Sequence, residues 1–439
     1  MDYDLLITDA TILPLANGGI DRIDRGYLAI KGERIAALGP MRELPAAGKA
    51  LITIDGSDSI VMPGLINTHC HAAMTLFRGL ADDLPLMEWL NNHIFPAEAR
   101  FVNAEMVYWC TRLAAAEMLR SGTTCVADGY FHEDAAARAF CETGIRAVAA
   151  QGVVDFPAPG VPDPAGNIAA VEQFLDTWQG REPLLTPAIF CHAPYTCSPE
   201  TLQRGKELAR QRGVPFFIHL AETEFEVQES LKKHGVTPTR HLYRLGVLDP
   251  NTVAVHCVWL NADDQRLLAE TGTRVASCPG SNMKLAAGIA PLAELRRNGV
   301  VIGLGTDGCA SNNNLDLFEE MDLAGKLQKV KHLDPTLLPA RAVLGMATVG
   351  GAEALGLGEQ IGSLVPGKKA DCILLDRKQA NLLPLYGAEL LTSAATGGDV
   401  RTVIVNGRVV MRDRRMMLFD ETETMAHVRE LAKKVTAPT

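Results

Sequence analysis

The stretch VMPGLINTHCH, residues 61–71, decides the fold, because it is an apolar run that ends in His69 and His71. In a β-strand, residues two apart point to the same side, so both imidazoles would face one way. Seven more apolar runs follow, separated by amphipathic stretches rich in Ala, Leu and Glu: residues 123–130, 145–154, 185–192, 216–222, 252–257, 274–279 and 300–307. Eight such β/α repeats predict a closed, parallel (β/α)8 barrel of the TIM type.

The two ends of the chain have a different sequence pattern from the middle. The first 60 residues and the segment from Ile361 onward contain short strand-like runs separated by glycines and charged turns. Chain termini often lie close together, so we expect one small β-sandwich domain built from both ends. The predicted organisation is sandwich in 1–60, catalytic barrel in 61–364, and sandwich again in 365–439.

Composition narrows the class of protein. Of 439 residues, 47% are hydrophobic, so the chain can bury a large core. A net charge of −10 without a basic run argues against nucleic acid as a partner. The acidic N-terminus is unlike a signal peptide, no apolar run reaches the ~18–20 residues that span a bilayer, and ten cysteines without CxxC pairs indicate reduced thiols. We therefore expect a soluble cytoplasmic protein that acts on a small molecule and contacts neither nucleic acid nor a membrane.

Polar side chains stand at the ends of four of the eight runs: His69 with His71, His219 followed by Glu222, His256, and Asp307. One such histidine alone would more often be a buried or rim residue, and Asp307 alone could cap the next helix. The carboxyl ends of barrel strands converge, however, so these side chains would meet in one place. Three imidazoles and a carboxylate suit Zn²⁺ or Fe²⁺ with a position left open for water.

The sequence resembles the amidohydrolase superfamily almost from end to end. The resemblance is carried by PGLINTHCH (63–71), HLAE (219–222), AVHC (254–257), GTDG (305–308), ATVGGAEALGL (347–357) and GSLVPGKKADCILLD (362–376). It implies that the metal ligands are His69, His71, His219 and Asp307. Two-metal members of the superfamily carry a carboxylated lysine at the end of strand 4, but here LLTPAIFCHAP (184–194) has no lysine and His192 stands near that point. The resemblance therefore implies one divalent ion per subunit, with Zn²⁺ preferred and Fe²⁺ as the second choice.

Within the superfamily the chain resembles the branch that deaminates 5′-methylthioadenosine, S-adenosylhomocysteine and adenosine. MEWLNNHIFPAEARF (87–101) implies a nucleoside site with Trp89 and Glu98, the carboxylate accepting hydrogen bonds from the ribose hydroxyls. CHAPYTCS (191–198) implies a contact from His192 to the purine ring. Without the resemblance, Glu98 would be an exposed helix start and His192 a rim residue.

The segment after strand 3 bears on which nucleoside is preferred. Members that bind S-adenosylhomocysteine hold its carboxylate with arginines there. Gln151 stands where one would be expected, with no arginine through Asp163, so we expect Gln151 to be a substrate contact in its place. Because an unpaired carboxylate is costly to desolvate, we expect 5′-methylthioadenosine or adenosine to be preferred.

The implied reaction replaces the 6-amino group of adenine with oxygen from water. A bound ion lowers the pKa of water toward neutrality, and hydroxide would attack C6. Glu222 would protonate N1, His256 would hold the hydroxide, and Asp307 would accept the water's proton. Alternatives are a triazine-type chlorohydrolase, a guanine- or cytosine-type aminohydrolase, and, from another class, an inactive barrel that serves as a scaffold in assembly. Barrels of this kind often pair, so a homo-oligomer is a further expectation.

Overall fold

The computed structural model describes residues 2–16, 21–45 and 48–436. Five strands open the chain: β1 (Tyr3–Ile12), β2 (Ile23–Lys31), β3 (Arg34–Pro40), β4 (Ala50–Asp55) and β5 (Ser59–Pro63). Eight parallel strands follow: β6 (Leu65–Cys70), β7 (Thr123–Tyr130), β8 (Arg146–Val153), β9 (Leu185–Cys191), β10 (Phe216–Leu220), β11 (Thr252–His256), β12 (Arg274–Ser277) and β13 (Ile302–Leu304). The last strands are β14 (Cys372–Asp376), β15 (Val400–Val405), β16 (Arg408–Arg412) and β17 (Arg415–Met416).

Strands β6 to β13 form the barrel and pair in sequence order. Nearly every residue in them is buried, as expected for parallel strands that are covered on both faces. The circle closes at its carboxyl end, where the backbone N–H groups of Thr306 and Asp307 donate to the carbonyl of His69 at 3.1 and 3.0 Å. The predicted barrel is therefore confirmed, and its closure brings the first and last strand ends together.

Helices separate and cover the barrel strands: α1 (Leu86–Trp89), α2 (Phe95–Phe101), α3 (Ala104–Arg120), α4 (Glu133–Thr143), α5 (Asn167–Trp178), α6 (Pro199–Arg212), α7 (Glu224–His234), α8 (Pro238–Arg244), α9 (Ala262–Thr271), α10 (Pro279–Lys284), α11 (Leu292–Arg297), α12 (Cys309–Asn312), α13 (Leu317–His332), α14 (Ala340–Met346), α15 (Val349–Ala354) and α16 (Glu421–Thr436). A π-helical turn, Leu90–Ile94, joins α1 to α2. Short helices α10 and α12 follow directly on strands β12 and β13, at the end of the barrel where the predicted site lies.

The terminal strands form one mixed sheet in the order β17-β16-β15-β14-β5-β1-β2-β3, with β4 added beside β1. The two ends of this strand order come close together, as shown by the Asn406 side chain after β15, which donates to Glu33 in the β2–β3 turn at 3.3 Å. Ile35, Ile54 and Ile404, from strands of both chain ends, share one buried apolar cluster. The prediction of a small β domain built from both termini is confirmed.

Two details differ from the sequence prediction. The run 61–71 is not one strand, because β5 reaches Pro63 in the mixed sheet and β6 begins the barrel at Leu65. Gly64 lies between them, where an added Cβ would overlap the side chain of Thr124. In addition, the segment 365–439 contains helix α16, which packs on barrel helix α3 through a Trp109–His427 ring stack with centroids 3.7 Å apart.

Candidate metal centre and substrate cavity

The backbone bends sharply at three strand ends that carry predicted site residues. Ala221, His256 and Asp307 have φ values of 50°, 69° and 60°. The left-handed region costs non-glycine residues of order 1–3 kcal/mol, and such residues cluster at functional sites because surrounding structure must hold them there. Three of the eight strand ends are thus bent in a way that turns polar side chains toward the barrel axis.

The donor atoms are spaced as ligands of one ion would be. His69 Nε2 and His71 Nε2 lie 3.2 and 3.3 Å from Asp307 Oδ1, and His69 Nε2 lies 3.3 Å from His219 Nε2. Two ligands, each about 2.0–2.1 Å from a zinc ion and separated by a tetrahedral angle, lie about 3.3 Å apart. His69, His219 and Asp307 therefore have the spacing of ligands to one divalent ion, and His71 joins them through its contact with Asp307.

His256 belongs to the same cluster. Its donor atom lies with those of His69, His219 and Asp307 in a group whose members are all within 4.8 Å of one another. His256 Nε2 is also 3.8 Å from Glu222 Oε1. His256 thus stands between the metal position and Glu222, where it can contact a water molecule bound between them.

Hydrogen bonds to neighbouring groups fix the orientation of the histidines. His71 Nδ1 lies 2.6 Å from the carbonyl of Gly129, which can only accept, so Nδ1 carries the proton and Nε2 is bare. His256 Nδ1 donates in the same way to Asn282 Oδ1 at 3.0 Å. Both rings therefore direct Nε2 to the centre, and burial lowers the pKa of His71, which favours the unprotonated Nε2 that a metal ligand requires.

Two serines orient the carboxylate ligand, and sequence reasoning missed both. The hydroxyls of Ser281 and Ser311 each donate to Asp307 Oδ2 at 2.7 Å. This leaves Asp307 Oδ1 toward the histidines. A signal was available in the sequence, since a Ser-Asn pair follows the seventh predicted strand and another follows GTDG.

Burial sets the protonation states that a metal needs. It lowers the pKa of His69 to about 4, and it lowers the pKa values of His71 and His219 as well. Burial alone would raise the pKa of Asp307, but the hydrogen bond from His69 and the nearby histidines hold it well below its ordinary value. Neutral imidazoles beside an ionised carboxylate are the forms that bind a divalent cation.

A cavity of about 310 Å³ opens onto these donors. Its size lies within the ~300–1,000 Å³ typical of small-molecule sites, and its walls are mostly apolar. Of the five residues predicted to contact substrate, four line it: Trp89, Glu98, His192 and Glu222. The cavity therefore brings the predicted metal site and most of the predicted substrate contacts into one space.

Gln151 is the exception among the predicted contacts. Its side chain turns away from the cavity, accepting from the backbone N–H of Glu133 at 3.4 Å and donating to the carbonyl of Gly152 at 3.2 Å. It is absent from the cavity lining across the ranges that the structure describes. The structure does not bring Gln151 to the substrate position, because the start of α4 holds it.

Glu98 is buried, so it is not an exposed helix start. Its Oε1 accepts a hydrogen bond of 2.6 Å from the hydroxyl of Tyr130, another lining residue that sequence reasoning missed. Burial raises the pKa of Glu98 to about 7, and the Tyr130 bond opposes this rise. Trp89, nearby on the wall, donates its indole N–H to the carbonyl of Ala81 at 3.1 Å, so it offers the cavity its ring rather than a donor.

His192 lies against the metal ligands at the end of β9. Its ring and that of His219 make an edge contact with centroids 4.8 Å apart, and its Nδ1 shares a hydrogen bond of 2.9 Å with the Thr196 hydroxyl. Burial lowers the pKa of His192 to about 3, so the ring is neutral. A neutral imidazole can hydrogen-bond to an uncharged purine ring without bringing a positive charge into the cavity.

Glu222 is held by a second carboxylate that the sequence did not reveal. Glu226, one turn into α7, accepts from the backbone N–H groups of Ala221 and Glu222, both at 2.9 Å. These bonds give acceptors to the two backbone N–H groups just after β10 and thereby fix the backbone position from which the Glu222 side chain extends. Burial raises the pKa of Glu222, so its carboxyl retains a proton to higher pH than an exposed glutamate does.

Fold and site together define a metal-dependent hydrolase built on a (β/α)8 barrel. The chain belongs to the amidohydrolase family, whose sequence profile matches residues 60–410. It is 48% identical to a 5-methylthioadenosine/S-adenosylhomocysteine deaminase of Syntrophobacter fumaroxidans, covering 98% of each chain, and 43% identical to a 5′-deoxyadenosine deaminase of Methanosarcina mazei, covering 99% of each. The crystal structure of a Xanthomonas campestris adenosine deaminase with bound zinc matches with a TM-score of 0.96 and 37% identity, over 99% of this chain and 98% of that one. The predicted family is confirmed.

Within the described ranges, none of the helices is both long and apolar enough to cross a bilayer.

Proposed function

We propose that the protein deaminates an adenine nucleoside, with water as the other substrate and ammonia and the inosine analogue as products. The observation that carries the proposal is the position of Glu222, a carboxyl on the cavity wall whose pKa is raised by burial, 3.8 Å from His256 in the donor cluster. Replacing an amino group on an aromatic ring requires both a nucleophile and a proton for the ring nitrogen, and the short distance from Glu222 to the donor cluster supports their supply from one site. The names of the three relatives given above support the same reaction.

His69, His71, His219 and Asp307 would hold one zinc ion per subunit, with iron as the second choice. When bound, such an ion lowers the pKa of water toward neutrality and so supplies a nucleophile at neutral pH. Elemental analysis of the purified protein gives the identity of the metal and its ratio to the chain. A folded protein that binds no divalent ion after supplementation would favour the inactive scaffold.

The chain's own residues divide the remaining work. Glu222 donates its proton to N1 of the adenine ring as the ring loses aromaticity. His256, whose Nδ1–H is given to Asn282, uses its bare Nε2 to accept a hydrogen bond from the attacking water. Asp307 Oδ2 already accepts from two serines, so we assign removal of the water's proton to His256 first and to Asp307 second. The same group then passes this proton to the 6-amino group as the C6–N bond breaks and ammonia leaves. The proton of the new C6 hydroxyl returns to Glu222 as the C6 carbonyl forms, so the carboxyl is ready for the next turnover.

The reaction itself is tested by ammonia release across a panel of adenosine, 5′-methylthioadenosine, guanine, cytosine and a chlorinated triazine. The proposal predicts turnover of the adenine nucleosides alone. Preferred turnover of guanine or cytosine, or chloride release from the triazine, would replace it with the corresponding alternative.

We further propose that the 5′ substituent of the preferred nucleoside is uncharged and apolar. If Glu98 binds the ribose, Phe95 lies one helical turn before it on the same face, and Phe156 packs against Phe95 with ring centroids 5.8 Å apart. Pro157 and Pro159 continue this wall, and the lining formed by the described residues contains no Lys or Arg. A carboxylate placed there would lose water without gaining a cationic partner.

This specificity is measured as kcat/KM for 5′-methylthioadenosine, 5′-deoxyadenosine, adenosine and S-adenosylhomocysteine. We expect the two nucleosides with apolar 5′ groups to lead and S-adenosylhomocysteine to be poorest. A clear preference for S-adenosylhomocysteine would reject the apolar subsite while leaving deamination in place. Homo-oligomerisation, a cytoplasmic location and the lack of nucleic-acid binding stay predictions.

A further inference from the structure

Two short helices flank Asp307 and hold it from both sides. Helix α10 contributes Ser281 and α12 contributes Ser311, and both hydroxyls donate to the same carboxylate oxygen, Oδ2, at 2.7 Å. The next residue of α10, Asn282, is the acceptor for His256 Nδ1 at 3.0 Å. The orientation of both Asp307 and His256 therefore depends on where these two helices lie.

Both helices are anchored on one buried carboxylate, Glu320 of α13. Its Oε2 accepts from the backbone N–H of Gly280 in α10 at 2.8 Å, and its Oε1 accepts from the side-chain amide of Asn312 in α12 at 2.8 Å. The Asn312 amide also donates to the carbonyl of Thr306, the residue before Asp307, at 2.8 Å. Glu320 is 0% exposed and does not reach the cavity lining formed by the described residues.

The fit around Glu320 is close. A Cβ added at Gly280 would overlap Glu320 Oε1 and lie 2.7 Å from Asn312 Oδ1. A residue with a side chain at position 280 would therefore push the carboxylate and α12 away from α10. The N–H of Gly280 belongs to the first turn of its helix, where no intrahelical acceptor exists, so Glu320 supplies the acceptor it lacks.

We propose that Glu320 is a positioning residue for the deamination reaction, holding Asp307 and His256 in register through α10 and α12 without touching metal, water or substrate. The inference rests on the proposed function, because it assigns Asp307 to the metal and His256 to the water. Each oxygen of Glu320 holds the helix that carries one of the two serines bonded to Asp307 Oδ2. Loss of either bond frees one helix to shift relative to the other.

The test compares Glu320→Gln with Glu319→Gln, a matched control on the same helix. Glu319 is exposed, and among the described residues its carboxylate accepts only from the Asn314 side chain at 2.9 Å, away from both serines. In the Glu320→Gln protein, one oxygen becomes an NH2 group that must face either the Gly280 N–H or the Asn312 amide. We expect loss of zinc to a chelator to become about 10–100-fold faster and kcat to fall by a similar factor, the range typical of groups that orient metal ligands. KM should change less than kcat, because no substrate contact is lost.

A purely structural role for Glu320 would lower the melting temperature and leave the metal site unchanged. The absorption spectrum of the cobalt-substituted protein separates the two roles, because it reports ligand geometry rather than global stability. We expect a changed spectrum in Glu320→Gln and the wild-type spectrum in Glu319→Gln. A folded Glu320→Gln protein whose spectrum, metal retention and kcat all equal those of the control would overturn the proposal.

Gly280→Ala tests the same contact from the other side and keeps the carboxylate, so it serves if Glu320→Gln does not fold. It should also loosen the metal and lower kcat, and wild-type behaviour of a folded Gly280→Ala protein would count against the anchor. Failure of the proposed function itself would look different, since wild type and Glu319→Gln would then release no ammonia from adenine nucleosides.

Discussion

Replacing Glu222 by glutamine should abolish most of the activity and leave the protein otherwise intact. The backbone bonds from Ala221 and Glu222 to Glu226 remain, because they use main-chain N–H groups. The Glu222 carboxyl makes no side-chain hydrogen bond to His256, since their atoms are 3.8 Å apart. The substitution therefore removes a proton donor and little else, so the chemical loss dominates any structural one.

The size of the effect follows from the role. General acid catalysis contributes roughly 10²–10⁴-fold, which corresponds to about 2.7–5.5 kcal/mol in the activation free energy. We expect kcat to fall within that range, with KM within a few-fold of wild type and a full complement of metal. Glu224→Gln is the matched control, because Glu224 starts the following helix and is exposed.

The assay is ammonia release under saturating 5′-methylthioadenosine, with metal content measured on the same samples. A Glu222→Gln protein that retains its metal and turns over within tenfold of wild type would refute Glu222 as the proton donor. A protein that loses its metal would instead show that Glu222 supports the ligand cluster, which the geometry above argues against.

Two further predictions concern the ribose contact and the metal. Burial raises the pKa of Glu98 to about 7, and its ionised form is the one that accepts hydrogen bonds from two ribose hydroxyls, so kcat/KM should fall as the pH drops below that value. Glu98→Gln should lower kcat/KM and flatten this pH dependence. An unchanged pH profile in the variant would remove Glu98 from substrate binding. Stripping the metal with a chelator should abolish turnover and lower the melting temperature, since a ligand present at about 100 times its Kd stabilises the folded state by about 2.7 kcal/mol. Added Zn²⁺ should restore both, and full activity of the stripped protein would contradict the proposed chemistry.

The barrel and the meeting of the polar strand ends could be predicted because the information is local. Each ligand ends an apolar run, and the geometry of a closed parallel barrel brings run ends together without knowledge of any side-chain contact. The break at Gly64 was missed because the two strands on either side of it are both apolar, so periodicity cannot separate them. The pairing of β5 with β14 and of β6 with β7, both far along the chain, shows that the two strands belong to different sheets.

Gln151 illustrates the opposite failure. Its position in the sequence, near the end of strand β8, is one from which a side chain could reach the cavity, yet the backbone N–H of Glu133 and the carbonyl of Gly152 hold it elsewhere. Competition between partners for a polar side chain is decided by the packed structure, because strand position gives only the direction of Cβ. For this reason, the contacts of a long polar side chain are harder to predict than those of a shorter side chain, whose atoms stay close to the strand.

The same distinction explains how the site divides its chemistry from its support. The strand ends supply the groups to which we assign metal binding and proton transfer. The first turns of the following helices supply the groups that orient them: Ser281, Asn282, Ser311 and Glu226. Two proteins can therefore share every strand-end motif and still differ in rate, because a shifted helix changes the angle of Asp307 or Glu222 without changing its identity. Loss of metal affinity would then come from α10 and α12, while loss of proton transfer alone would come from α7. Comparing metal retention with kcat in helix variants should thus assign each helix to one half of the reaction.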